Sequence, residues 1–214
     1  MSAVDRFRDR DEAGRLLADR LTEQARPDAV VLALPRGGVP VAAVIAARLG
    51  MPLDVLVVRK LGVPWHSELA MGAVGEEGAT VLNDDVIAAA RIDETTLQGV
   101  IARERSEVTR RVDRFRGARP PVPLAGRRAI IVDDGVATGA TARAGCAVAR
   151  LRGAASVVLA VPVGAPSVIR DLREVADEII CLHEPPGFMA VGMHYLDFRQ
   201  VEDAEVGRLL RAGR

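Results

Sequence analysis

Lysine is almost missing from this chain: of its 29 basic residues, only Lys60 is not an arginine. A coding preference for arginine accounts for the total, which leaves the one retained lysine as a position to inspect. Aromatic residues are scarce, at 3%. The core is therefore aliphatic, and rings are free for other work where Phe188, Tyr195 and Phe198 crowd one short segment. Two cysteines, Cys146 and Cys181, fit no zinc or CxxC spacing, which excludes a disulfide scaffold and predicts buried thiols in a reducing cytoplasm. Three scattered histidines argue against a histidine-built metal centre. Basic and acidic residues balance at 29 each, so no general field favours nucleic acid or an anionic membrane, and any phosphate affinity must be local. Residues 1–10 are charged rather than apolar and no apolar run is long enough to span a bilayer, so neither a signal peptide nor a membrane anchor is expected.

What is present is an alternation of apolar runs and helical patterns. Asp9 or Asp11 caps an opening helix. An apolar strand over 29–34 ends in Pro35-Arg36-Gly37-Gly38, and an Ala/Val-rich helix over 39–49 closes at Gly50. A second buried strand over 53–58 ends at Arg59-Lys60, 62–68 reads as a loop, and short strands near 70–74 and 79–82 form a hairpin. Asp84 or Asp85 starts a short helix, and Asp93 starts a long one running to about Phe115. Its stripe of Leu97, Val100, Ile101, Val108, Val112 and Phe115 faces a core, and its outer face offers the pairs Arg103–Glu107 and Glu107–Arg111, as a solvated structural helix does. Further strands over 156–161 and 178–182, with helices to 152 and over 168–175, complete an α/β pattern: a doubly wound, mainly parallel sheet.

The most informative stretch is Ala129 to Thr141. Ile130, Ile131 and Val132 read as a strand buried on both faces. The strand stops at two carboxylates, Asp133 and Asp134, which must lie at the rim of the sheet where water or a ligand solvates them. The Gly/Thr-rich turn that follows aims backbone N–H groups and hydroxyls at one spot ahead of a helix N-terminus, an anion cradle. Carboxylates beside a phosphate cradle suit a ligand with a phosphate at one end and vicinal hydroxyls at the other, such as a ribose 5-phosphate. An ordinary strand–turn–helix with a solvated acidic rim is the alternative; a Walker loop is excluded because no Gly-Lys-Ser/Thr follows. Ligands of such sheets sit beyond the carboxyl ends of the strands, which would gather Pro35–Gly38, Arg59-Lys60 and Asp133–Thr141 on one edge.

The segment resembles the 5-phosphoribosyl 1-pyrophosphate (PRPP) binding motif of type I phosphoribosyltransferases, and the resemblance extends over most of the chain. It implies that Asp133 and Asp134 hold the ribose hydroxyls and that Ala137, Thr138, Gly139, Ala140 and Thr141 hold the 5-phosphate. Ala140 departs from the glycine common there. Arg36, Gly37 and Gly38 correspond to the pyrophosphate turn, against the alternative of a turn that merely needs glycine. Arg59 and Lys60 resemble the basic strand end before the mobile catalytic loop, with Lys60 as the catalytic cation or else a surface charge. That loop would carry Trp65, with His66 and Glu68 as candidate acid/base groups. A C-terminal hood would offer Phe188 and Tyr195 to a flat base, or else pack as a satellite core.

The resemblance further implies one domain with a core of about 27–183, a helical insertion at about 84–118, a hood at about 184–201, and terminal helices 9–25 and 202–212. The implied activity is transfer of 5-phosphoribosyl from PRPP to a nitrogen acceptor, a nucleobase, in nucleotide salvage. Mg²⁺ is the implied cofactor, held mainly through PRPP with Asp133 or Asp134 as the candidate protein ligand. The expected setting is a cytoplasmic homodimer without nucleic-acid or membrane partners. A non-catalytic sensor of PRPP or nucleotide on the same fold is the alternative.

Overall fold

The structure, a computed structural model, describes residues 6–213, the side chains of Ser67 and Glu68 excepted. The first elements are α1 (Arg10–Arg20), β1 (Ala29–Ala33), α2 (Gly38–Leu49), β2 (Leu53–Val55), β3 (Val58–Val63), β4 (His66–Gly75) and β5 (Thr80–Leu82). There follow α3 (Asp84–Ala89), α4 (Glu94–Arg116), β6 (Arg128–Val132), α5 (Ala140–Leu151), β7 (Ser156–Val163), α6 (Pro166–Leu172), β8 (Glu178–His183) and α7 (Asp203–Ala212). Five strands pair in parallel in the order β2-β1-β6-β7-β8, as the α/β reading expects.

Alternation along each central strand sends neighbouring residues to opposite faces of this sheet. Val31, Ala33, Ile130, Val132, Val158 and Ala160 join one core, shared with α1, α2, α4 and α7. Val30, Leu32, Ala129, Ile131, Val157 and Leu159 join another, shared with α5 and α6. Both faces are covered, so the strands read as unbroken apolar runs. Caps fix the helix ends. Asp9 accepts from the Glu12 N–H at 2.8 Å, and Asp93 from the Thr96 N–H at 2.8 Å. Asn83, rather than Asp84 or Asp85, caps α3.

The segment after β2 departs from the sequence expectation. The run 53–58 is not one strand: β2 ends at Val55 and β3 starts at Val58 in a separate antiparallel sheet of order β3-β4-β5. Leu56 and Val57 between them are fully buried, so hydrophobicity carries no sign of the break. Arg59 and Lys60 therefore lie within β3 instead of ending a strand of the parallel sheet. Nor is 62–68 a loop. Register shifts around Gly62 let β3 run on to Val63, and β4 begins at His66 after a turn at Pro64-Trp65.

A buried ionic cluster ties this hairpin sheet to the rest. Arg116, at the end of α4, donates from Nε to Asp54 Oδ1 at 2.9 Å and from its terminal nitrogens to both oxygens of Glu76 at 2.5 and 3.0 Å. All three side chains are 2–3% exposed. Both carboxylates also accept from backbone: Glu76 from the Val57 N–H, and Asp54 from the Val55 and Val122 N–H groups. On the outer face of α4, Glu107 pairs with Arg111 as expected but also with Arg110, whereas Arg103 turns to Glu104.

Among the described residues no helix is long and apolar enough to cross a membrane. Burial pushes the Cys146 and Cys181 thiols up to about 12, which makes them inert.

Candidate active site

Strand β1 has β2 on one side and β6 on the other, so the chain changes direction between β1 and β6. Doubly wound sheets place ligands at the carboxyl ends of such a strand pair. The turn after β1 and the Asp133-Asp134 pair after β6 meet there. Their approach is so close that a Cβ on Gly37 would lie 2.0 Å from Asp134 Oδ2, and one on Gly38 would lie 2.5 Å from the Val132 carbonyl oxygen. Gly38 is required by this backbone contact, whereas Gly37 leaves room for the Asp134 carboxylate.

The two carboxylates have different surroundings. Asp134 is clasped by Arg10, the first residue of α1, whose Nε and one terminal nitrogen donate to Asp134 Oδ2 at 2.9 and 2.7 Å. The paired side chains are 11% and 13% exposed. The Arg10 guanidinium lies 4.0 Å from the Phe198 ring centroid, a cation–π contact, and donates to the Arg199 carbonyl. Tyr195 donates its hydroxyl to the Asp134 carbonyl at 2.6 Å. Among the described residues Asp133 is paired with no such cation; its Oδ1 accepts from the Asp134 N–H at 2.9 Å. Burial, and then the charge of Asp134, hold the Asp133 carboxyl well above the usual carboxylate range. Burial raises Asp134 too, with Arg10 opposing it. A cation at Asp133 would oppose both effects and favour its ionised form.

Beyond Asp133 the chain forms a hollow of about 200 Å³, lined by Asp133, the loop from Gly135 to Ala142, and Val191. The helix ladder of α5 begins with the Arg143 N–H donating to Gly139 at 2.8 Å, so the N–H groups of residues 140–142 precede its first rung. Gly139 has φ +75°, a left-handed conformation that glycine adopts at no cost, and a Cβ there would meet Val168 at 2.7 Å. Thr138 and Thr141 are exposed within this wall. The loop is pinned from below by the Val136 N–H donating to Val163 and the Ala165 N–H donating to Val136. The structure thus brings Asp133, Ala137, Thr138, Gly139, Ala140 and Thr141 around one volume at the N-terminus of α5.

Other candidate residues lie elsewhere. The Arg36 side chain turns from the turn towards Asp203 on α7, at 3.4 Å. Arg59 pairs with Glu104 on α4 at 2.9 Å. Lys60 lines a different cavity, between the hairpin sheet and α5, of about 520 Å³. Trp65 stands at the tip of the β3–β4 hairpin, 67% exposed, with His66 beside it; the Glu68 side chain lies outside the described residues. Phe188 stacks on His194, centroids 5.5 Å apart and planes at 10°. The reading of Tyr195 as a base-stacking ring needs correction: it is buried with Phe7, Ala13 and Val163, so its faces are occupied. The aromatic cluster thereby supports Asp134 from beneath. Arg10 went unrecognised in the sequence because nothing near it distinguishes it from the chain's other arginines; only folding carries it 124 positions to its partner.

Among the described residues no group of three or more His, Cys, Asp or Glu side chains could hold a metal ion. With Asp134 taken by Arg10, Asp133 is the cleft carboxylate left to a cation. That donor set fits a hard divalent ion held mostly by a ligand's own phosphates.

The profile of the phosphoribosyl transferase domain matches residues 5–192. Two Mycobacterium tuberculosis proteins, from strains H37Rv and CDC 1551 and both provisionally named phosphoribosyl transferases, are 53% identical over 200 residues, or 94% of this chain. The chain spans 45% of their length. The crystal structure of TT1426 from Thermus thermophilus superposes with a TM-score of 0.89 at 45% identity, over 96% of this chain and 97% of that one. The chain belongs to the phosphoribosyl transferase domain family.

Proposed function

We propose that this protein transfers the 5-phosphoribosyl group of PRPP to a nitrogen acceptor, a nucleobase, with release of pyrophosphate. The observation that carries the reading is the hollow that Asp133 and the 137–141 loop line together. The loop takes the 5-phosphate, where helix N–H groups and the Thr138 and Thr141 hydroxyls meet its oxygens. Asp133 takes the ribose diol, and Asp134, fixed by Arg10 and Tyr195, sets the position of Asp133 and the charge behind it. The turn of Arg36, Gly37 and Gly38 offers its backbone to the pyrophosphate.

In the reaction the bond between ribose C1 and the pyrophosphate oxygen breaks, with its electron pair leaving on pyrophosphate. The acceptor nitrogen forms a bond to C1 and gives up a proton. Positive charge that grows on the ribose is stabilised by the Asp133 and Asp134 carboxylates. Mg²⁺, when bound through the phosphates with Asp133 as protein ligand, supplies charge neutralisation for the leaving group. Trp65 and His66 cap the site from the hairpin tip, and the segment around Phe188 receives the acceptor. A homodimer is the proposed assembly.

Calorimetric titration of PRPP with Mg²⁺ tests the reading. Wild type should bind one equivalent, and Asp133→Ala should lose at least tenfold in affinity. Pyrophosphate release on addition of a panel of purines and pyrimidines then tests transfer. No heat with wild type, or equal heat with the variant, would defeat the proposal, while binding without turnover would leave a sensor.

A further inference from the structure

Arg36 lines a second cavity, of about 290 Å³, with Arg110, Arg111, Arg114 and Asp203, and with Pro35 and Phe115 as its apolar wall. Three of these arginines come from α4, which the sequence presents as a solvated structural helix. Four guanidinium groups share two carboxylates. Asp203 accepts from Arg36 at 3.4 Å and from Arg114 at 2.5 Å, while Glu107 accepts from Arg110 at 2.8 Å and Arg111 at 2.7 Å. The chain as a whole carries no net charge, so this is a local excess of positive charge.

Each guanidinium has five N–H donors, and the carboxylates present use few of them. Arg110 and Arg114 also stand four apart on α4, a like-charge spacing that weakens a helix. An arrangement that is unfavourable when empty gains from an anion. The size limits its identity: the cavity is below the roughly 300 Å³ at which pockets begin to hold drug-sized molecules. A compact anion fits, and planar forks converging from several directions suit one with oxygens on more than one phosphorus.

We propose that Arg36, Arg110, Arg111 and Arg114 form a second anion site that binds inorganic pyrophosphate, entered from the Pro35–Gly38 turn. The choice of pyrophosphate rests on the phosphoribosyl reading, since Arg36 would then link the turn that releases the product to the cavity that receives it. Glu107 and Asp203 hold the arginines apart until the anion arrives.

The test is titration of pyrophosphate in EDTA, so that no divalent ion assists the main cleft. Wild type should bind one equivalent. The double variant Arg110→Ser/Arg114→Ser should bind at least tenfold more weakly while keeping its thermal midpoint and its PRPP–Mg²⁺ affinity within twofold. Asp133→Asn should bind pyrophosphate as wild type does. Equal affinity in the double variant would overturn the site, and orthophosphate or sulfate binding as tightly as pyrophosphate would overturn its specificity. The two proposals fail separately. Pyrophosphate binding that meets these criteria in a protein that takes no PRPP would remove the phosphoribosyl reading alone. PRPP binding with no pyrophosphate binding in EDTA would remove this site alone.

Discussion

Arg10 donates two hydrogen bonds to one oxygen of Asp134, at 2.9 and 2.7 Å, and so ties the start of α1 to the end of β6. In the proposed function the pair holds Asp134 in place beside Asp133, the acid that meets the ribose diol. Arg10→Ala should lower unfolding stability by about 3 kcal/mol, the low end for breaking a buried pair, because Asp134 can take up a proton in compensation. Adding Asp134→Asn should recover most of the loss, as urea unfolding of the single and double variants will measure. Additive losses would show that the two residues are not coupled.

Asp133 makes stability depend on pH in a definite direction. Its carboxyl is held above 3.8 in the fold, so from that pH up to the raised value the folded chain keeps a proton that the unfolded chain has released. Stability therefore falls as pH rises through this window. Asp133→Asn keeps the acceptor for the Asp134 N–H and removes the penalty. At pH 7.5 it should be more stable than wild type, the gap closing towards pH 4. A variant less stable than wild type at pH 7.5 would contradict this.

Gly37 is held against Asp134 too closely for a side chain. Gly37→Ala should displace the Asp134 carboxylate, break its contact with Arg10, and lower PRPP affinity at least tenfold. Stability should drop by about 1–3 kcal/mol, as overpacking does. A crystal structure of the variant with the Arg10–Asp134 contact intact would show that the turn yields instead.

Arg116 donates to both Asp54 and Glu76 in a buried cluster. Arg116→Met should cost about 3–5 kcal/mol in denaturant unfolding, because it removes a buried cation that both carboxylates share. Amide exchange should speed up first in β3 to β5, which the cluster anchors.

Trp65 is the only tryptophan and lies at the hairpin tip. Its emission should be that of a water-exposed indole in the free protein. If the hairpin covers the bound substrate, PRPP with Mg²⁺ should shift the emission to the blue and reduce acrylamide quenching. Unchanged fluorescence at saturating PRPP would remove Trp65 from the closing element.

The parallel sheet and the acid-to-loop order of 129–141 could be read directly from the residues. Strands buried on both faces must be uninterrupted apolar runs, and a phosphate cradle needs its glycine and hydroxyls in consecutive positions. Both are local signals. Where β2 ends depended on the folded arrangement, because Leu56 and Val57 stay buried across the break and the apolar pattern continues through it. That arrangement also decided the separate fates of Asp133 and Asp134, identical neighbours in the chain, through an arginine 124 positions from Asp134. The arginines of α4 were legible only as a charged helix face. That three of them turn towards Arg36 depends on how α4 packs beside the β1 turn, and packing between elements distant in sequence leaves no mark on either of them alone.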